Sequence, residues 1–225
     1  MLSKHRQSRI LLAVTPPVAS CETIASKNTT RLTIGILALQ GAYDLHADTL
    51  RDLSADSDLA CEIDVRQVKK PGHLHDLDGI VIPGGESTVL QKLLTTSGLD
   101  DPLRDAIEAG LPVLGTCAGL IILSNHFGVI DCEVDRNSYG TQINSFEAEV
   151  DFLPTSKRCR AFFIRAPRII SVGKNAEVIA VHGEEIVGVA QGNILGITCH
   201  PEVAGVSIFH HFFVEKILRR VQSNE

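Results

Sequence analysis

Apolar residues along this chain fall into two regimes. In the first half they come in short, nearly unbroken runs at Thr33–Leu39, Leu77–Ile82 and Leu111–Leu114, bounded by glycine or proline, while Cys61–Val68 alternates. Such runs read as strands buried on both faces. Between and after them lie segments with helical spacing at Tyr43–Leu53, Ser87 to about Leu94 with Ser87 as N-cap, Asp101–Ala109, and the residues after Cys117. Strands alternating with helices predict a parallel sheet. The second half carries closely spaced short strands at Phe146–Phe152, Ala161–Arg165, Ile169–Val172, Val178–Val181, Ile186–Ala190 and Ile194–Thr198, then an amphipathic helix at about Val206–Val221. These predict antiparallel ribbons completing the sheet. The expected class is α/β, a mixed but mainly parallel sheet with helices on both faces.

Composition narrows the picture. The chain has 225 residues, 44% hydrophobic and 21% charged, which suits one globular domain. Its net charge is −6. Residues 1–31 hold five Lys/Arg against one Glu, which leaves the rest of the chain at −10. An acidic body argues against nucleic acid or an anionic membrane as partner, and no apolar run approaches a membrane span. The six cysteines (Cys21, Cys61, Cys117, Cys132, Cys159, Cys199) show no C-x-x-C spacing and read as unpaired thiols in a reducing compartment, the cytoplasm. Residues 1–31 are basic, Ser/Thr-rich and broken by Pro16-Pro17. Ile10–Val14 followed by Val18-Ala19-Ser20-Cys21 faintly resembles a lipoprotein signal, but the apolar part is short and interrupted, so a disordered N-terminal extension or an upstream start site is favoured. Residues 32–225 are expected to form a single domain.

The chemistry centres on Gly115-Thr116-Cys117-Ala118-Gly119, set between two apolar runs. Strand, glycine turn, helix is the geometry of a nucleophile elbow, with Cys117 at the helix start where thiolate is favoured. A buried core cysteine between two turn glycines fits the five residues nearly as well. A cysteine nucleophile needs a base. Of nine histidines, His200 in Cys199-His200-Pro201-Glu202 follows a strand, and Glu202 lies close enough in an extended segment to hold one ring nitrogen while the other faces Cys117. A solvated His-Pro-Glu turn is the plain alternative. Backbone N–H groups of Ala118 and of Pro83-Gly84-Gly85 are candidates for an oxyanion hole.

Together these motifs resemble class I glutamine amidotransferases, and more narrowly the glutaminase subunits of two-subunit pyridoxal 5'-phosphate synthases. The narrower resemblance rests on Leu39-Gln40-Gly41-Ala42, Pro83-Gly84-Gly85-Glu86-Ser87-Thr88, Gly115–Leu123, Asp135-Arg136-Asn137-Ser138-Tyr139-Gly140, Ser145-Phe146-Glu147-Ala148, Phe163-Ile164-Arg165-Ala166-Pro167 and His200-Pro201-Glu202. They run in order from about Leu32 to the last helix. The resemblance implies a three-layer, flavodoxin-like fold and a Cys117-His200-Glu202 triad. It implies glutamine binding by Gly85, Glu86, Ser87, Arg136, Ile164 and Arg165, an oxyanion hole at Gly85 and Ala118, and a partner-facing role for Gln40. It further implies that glutamine is hydrolysed to glutamate and ammonia through a glutamyl-thioester. The ammonia would pass by a shielded route to a barrel-shaped synthase subunit in a large hetero-oligomer, whose docking completes the oxyanion hole. No cofactor or metal is implied on the glutaminase itself.

One departure is a segment between Cys117 and Arg136 that looks several residues short, with Asn125–Val129 in place of a longer loop. Three other readings share parts of this pattern. A glutaminase of another amidotransferase pathway is opposed by Asp135–Ser138 and Ile164–Pro167. A non-catalytic docking module is opposed by the intact Cys117, His200 and Glu202. A cysteine hydrolase of the protease or chaperone type would generally lack His-Pro-Glu here.

Overall fold

The computed structural model describes residues 29–55, 59–136 and 145–223. In chain order the elements are β1 (Thr30–Leu37), α1 (Tyr43–Ser54), β2 (Cys61–Val68), β3 (Gly79–Ile82), α2 (Ser87–Ser97), α3 (Asp100–Glu108), β4 (Val113–Thr116), α4 (Ala118–Ile121), β5 (Cys132–Asp135), β6 (Phe146–Phe152), β7 (Lys157–Phe163), β8 (Arg168–Val172), β9 (Glu177–His182), β10 (Glu185–Gln191), β11 (Ile194–Ile197) and α5 (Ile208–Ser223). Among the described residues the main sheet has nine strands in the order β2-β1-β3-β4-β11-β10-β9-β6-β7. The β2 to β11 half is parallel. From β11 outward the pairing is antiparallel.

The unbroken apolar runs are explained by a core on each face. Leu32, Ile34, Ile36, Val81 and Leu114 point to one side, where α1 and α5 supply Leu50, Leu53, Phe209, Phe213 and Ile217. Leu37, Ile80, Ile82 and Val113 point to the other, against Leu90 and Leu94 of α2, Leu103 and Ile107 of α3, and Leu120 of α4. Strand periodicity of two thus fills both layers, giving the three-layer α/β architecture. Among the described residues no helix is long and apolar enough to cross a membrane.

Four local expectations are corrected. The N-cap of α2 is Glu86, not Ser87: its carboxylate accepts from Thr88 N at 3.1 Å and Val89 N at 2.8 Å, while Ser87 is the buried first helical residue. Ile169–Val172 lies in β8, but β8 pairs with β5 in a separate two-stranded ribbon rather than joining the sheet. β7 starts earlier than Ala161, because it is the edge strand, where Arg158 and Arg160 face solvent and pair across with Asp151 and Glu147. The helix after Cys117 gives way after Ile121 to one wide π-helical turn, Ile122–His126, closed by Phe127 N to Ile122 O at 2.8 Å. That turn runs into the shortened Asn125–Val129 segment. Its polar side chains hold the ribbon, with Ser124 Oγ donating to Cys132 O at 2.7 Å and Asn125 Nδ2 donating to Val134 O at 3.0 Å.

β1 begins at Thr30, and residues 1–28 lie outside the described residues, as do Asn137–Gly140 of the Asp135–Gly140 motif.

Candidate active site

The carboxyl ends of β1, β3, β4 and β11 bring Gln40, Gly84–Glu86, Cys117 and His200 to one edge of the sheet, the usual place for a site in such folds. β4 and β11 are neighbours with Thr116 opposite Ile197, and Cys117 N extends the ladder to Ile197 O at 2.8 Å. The chain then reverses at Cys117, whose φ of +48° and ψ of −102° lie in a region side chains seldom occupy. Such a conformation costs about 1–3 kcal/mol and persists only where the surroundings enforce it. Here the two glycines permit it. A Cβ on Gly119 would lie 2.1 Å from the Ile82 carbonyl oxygen, and one on Gly115 would lie 2.8 Å from the Gly119 backbone. The elbow is packed against β3 with no room for a methyl group at either glycine.

His200 is held from the far side of the sheet. Its N–H donates to Phe162 O of β7 at 2.7 Å. Glu202 approaches it through a 3₁₀ turn, Pro201–Ala204, rather than the extended segment expected, and His200 Nδ1 lies 2.8 Å from Glu202 Oε1. Cys117 is the other side chain that acts on the ring, favouring its charged form. Cys117, His200 and Glu202 are all buried. Burial opposes charge on His200, but the hydrogen bonds to Cys117 and Glu202, with their charges, outweigh it and push its pKa up to about 10. By contrast, burial pushes the thiols of Cys61, Cys132, Cys159 and Cys199 up, away from the reactive thiolate. Each of these and Cys117 is a free thiol.

The glycine loop after β3 presses on this group. A Cβ on Gly84 would meet His200 Cε1 at 2.2 Å, and one on Gly85 would meet Gln40 Oε1 at 2.4 Å. Gln40 Oε1 accepts the Glu86 N–H at 3.1 Å, tying the β1 loop to the β3 loop. Across the N-terminus of α2, Arg136 donates to Thr88 Oγ1 at 2.7 Å and lies 3.8 Å from Glu86. Slight burial opposes charge on Glu86, yet the Val89 and Thr88 N–H bonds and Arg136 hold its carboxyl below the usual range. Ile164 and Arg165 directly follow β7, beside the Phe162 anchor of His200, and Arg165 has a left-handed φ of +46°.

Sequence reasoning passed over three buried groups behind Glu202. His46 on α1 is hydrogen-bonded to His210 on α5 and Thr116 on β4, and its Nε2 lies 3.5 Å from Glu202 Oε1. Their signal was present but bland. His46 shares the apolar face of α1 with Leu50 and Leu53, and His210 sits among Phe209, Phe213 and Val214.

Comparison with known proteins points to one family. A family model described as the SNO glutamine amidotransferase family matches residues 36–219. Curated proteins named pyridoxal 5'-phosphate synthase subunit PdxT are similar over most of their length. That of Pelotomaculum thermopropionicum is 42% identical over 199 residues, 84% of this chain and 97% of that protein. That of Leifsonia xyli subsp. xyli is 44% identical over 201 residues, with the same coverage of 84% and 97%. A solved structure described as a glutamine amidotransferase superposes with a TM-score of 0.73 at 34% identity, covering 82% of this chain and 98% of its own. PurLQS from Thermotoga maritima shares the fold at a TM-score of 0.56 and 16% identity.

Proposed function

The chain belongs to the SNO glutamine amidotransferase family, and from that premise we propose that it hydrolyses L-glutamine to supply ammonia to a pyridoxal 5'-phosphate synthase, with Cys117 as nucleophile, His200 as acid and base, and Glu202 as the orienter of His200. The observation that carries the residue assignment is the 2.8 Å His200–Glu202 bond beside the strained elbow that holds Cys117.

The reaction follows from this arrangement. Cys117 Sγ attacks the side-chain carbonyl carbon of glutamine, and charge collects on the carbonyl oxygen. The N–H groups of Ala118 and Gly85 are its donors. His200, which takes the thiol proton as Sγ attacks, then gives a proton to the departing nitrogen. Ammonia leaves and a glutamyl-thioester remains. Neutral His200 next takes a proton from water, whose oxygen attacks the thioester, and glutamate departs as Sγ is regenerated. Arg136, Ile164 and Arg165, with Glu86 and Ser87, hold the amino-acid end of the substrate. A guanidinium suits its α-carboxylate.

The relatives are named as subunits of a synthase, which supports a synthase partner for this chain. That partner is a barrel subunit in a hetero-oligomer, and it receives ammonia along a route closed to water, because ammonium is not a nucleophile. Gln40, bonded to the loop that carries Gly85, lies where docking would tune the oxyanion donors. The free thiols support a cytoplasmic setting.

The test is glutamate release by the full chain with and without its cognate synthase, beside Cys117→Ala. Synthase-stimulated release by the parent, lost by at least about a thousandfold in the variant, is expected. Full activity in Cys117→Ala would remove the nucleophile assignment, and absence of stimulation would remove the synthase assignment.

A further inference from the structure

Glu202 is buried more deeply than its role toward His200 requires, and one of its oxygens, Oε2, has no hydrogen-bond partner among the described residues. A buried carboxylate is costly unless donors face it. A second side chain facing this carboxylate is His46, whose Nε2 lies 3.5 Å from Oε1, the oxygen that also faces His200, and 3.2 Å from Thr116 Oγ1. Its other nitrogen, Nδ1, lies 2.8 Å from His210 Nε2. Both histidines are fully buried.

Resting on the triad reading above, we propose that His46 is a positioning residue of the glutaminase centre: its Nε2–H holds Glu202 from behind, and His210 fixes the tautomer that makes this N–H available.

The direction of the hydrogen bonds follows from counting donors. Two neutral imidazoles share one N–H across the 2.8 Å contact. If His46 donated from Nδ1, its Nε2 lone pair would face the carboxylate. His210 would then bear its proton on Nδ1, which has no hydrogen-bond partner among the described residues. That arrangement opposes two lone pairs and strands a buried donor. If instead His210 donates from Nε2, His46 accepts at Nδ1 and donates from Nε2 to Glu202 and Thr116. The only unmet atom in the pair is then a bare ring nitrogen, which is cheaper to bury than an orphaned N–H. The two N–H dipoles point in sequence toward the carboxylate.

Neutrality of the pair matters as much as its direction. Burial, then His210 and His200 nearby, hold His46 well below its ordinary pKa, and burial takes His210 down to about 4. A cation at His46 would compete with His200 for the Glu202 charge. A neutral donor steadies the carboxylate and leaves its charge free to favour the His200 imidazolium. The chain runs from α5 through α1 to the turn after β11 and to the residue before the nucleophile. It sets Glu202 from the helical layer opposite α2.

The experiment compares synthase-stimulated glutamine hydrolysis by the parent with His46→Leu, His46→Asn and His46→Gln in the full chain. The side-chain nitrogen of Gln reaches the position of Nε2, whereas that of Asn reaches only the position of Nδ1. His46→Leu and His46→Asn are expected to lose kcat on the order of tenfold, the scale of one orienting hydrogen bond, with KM for glutamine nearly unchanged. His46→Gln is expected to recover most of kcat. Should His46→Leu not fold, the Gln and Asn variants, both polar and close in size, carry the comparison. Equal kcat for Gln and Asn, or a fall confined to KM, overturns the proposal. So does a side-chain ¹⁵N spectrum of the parent showing His46 protonated at Nδ1. A parent that hydrolyses no glutamine defeats the triad reading itself, before any variant is compared.

Discussion

Gly119 and Ile82 touch across the gap between α4 and β3, so that a Cβ on Gly119 would lie 2.1 Å from the Ile82 carbonyl oxygen. Backbone faces backbone here, and neither can swing aside as a side chain could. Gly119→Ala therefore pushes the elbow away from β3, moving Cys117 relative to His200. The expected cost is about 1–3 kcal/mol of stability, typical of overpacking, together with a fall in kcat. Chemical denaturation and glutamate release measure the two.

Glu202→Gln keeps the shape of the side chain and removes its charge. His200 then loses one of the two partners that lift its pKa to about 10, so that pKa falls toward the ordinary histidine value. NMR titration of the His200 ring reads this directly. A loss of kcat of roughly a hundredfold or more accompanies it, because a misoriented or wrongly protonated base no longer serves the nucleophile. An unchanged His200 titration would contradict the assignment of Glu202.

Arg136 already spans Thr88 and Glu86 at the start of α2. In the reading above it binds the substrate's carboxylate. Arg136→Ala should raise KM for glutamine by about tenfold to a hundredfold, the range of a charge-assisted hydrogen bond, with a smaller change in kcat. Steady-state kinetics at saturating synthase provide the check.

Acid should destabilise the fold through the histidines behind the triad. His210 has a folded pKa of about 4 and His46 one well below 6.5, so below pH 6.5 the unfolded chain binds protons that the folded chain refuses. Stability therefore drops as pH falls, by up to about 1.4 kcal/mol per pH unit for each group. His200 has the opposite sign: its folded pKa of about 10 exceeds 6.5, so its contribution is complete below pH 6.5 and is lost as pH rises toward 10. Urea titrations across pH 4–7 should show the acid limb flattened in His210→Leu. An unaltered slope would remove His210 from the account.

The strands and the motif residues were legible in the sequence because each obeys a local rule. β2 occupies Cys61–Val68 as its alternation predicts, and the glycines of the elbow are where a strained turn requires them. What sequence alone could not supply was long-range pairing. β5 is a four-residue strand that exists only because β8 returns to it, and β8 left the main sheet for the same reason. Glu86 displaced Ser87 as cap because its longer side chain reaches back over two backbone N–H groups, a choice that composition does not distinguish. His46 and His210 look like ordinary core residues along their helices. Only the packing of α1 on α5, which sets them 164 positions apart in sequence but 2.8 Å apart in space, reveals the pair beside Glu202.

The pairing of Thr116 with Ile197 places nucleophile and base at the tips of adjacent parallel strands. Cys117 follows β4 directly and His200 lies three residues beyond β11, so their approach depends on this ladder, with the Phe162 bond anchoring His200 past its end. Reactivity in this chain is then a gauge of one ladder. Partial unfolding that opens β4 from β11 should silence the thiol while most helical signal persists, and alkylation of Cys117 becomes a local reporter of the sheet's central seam.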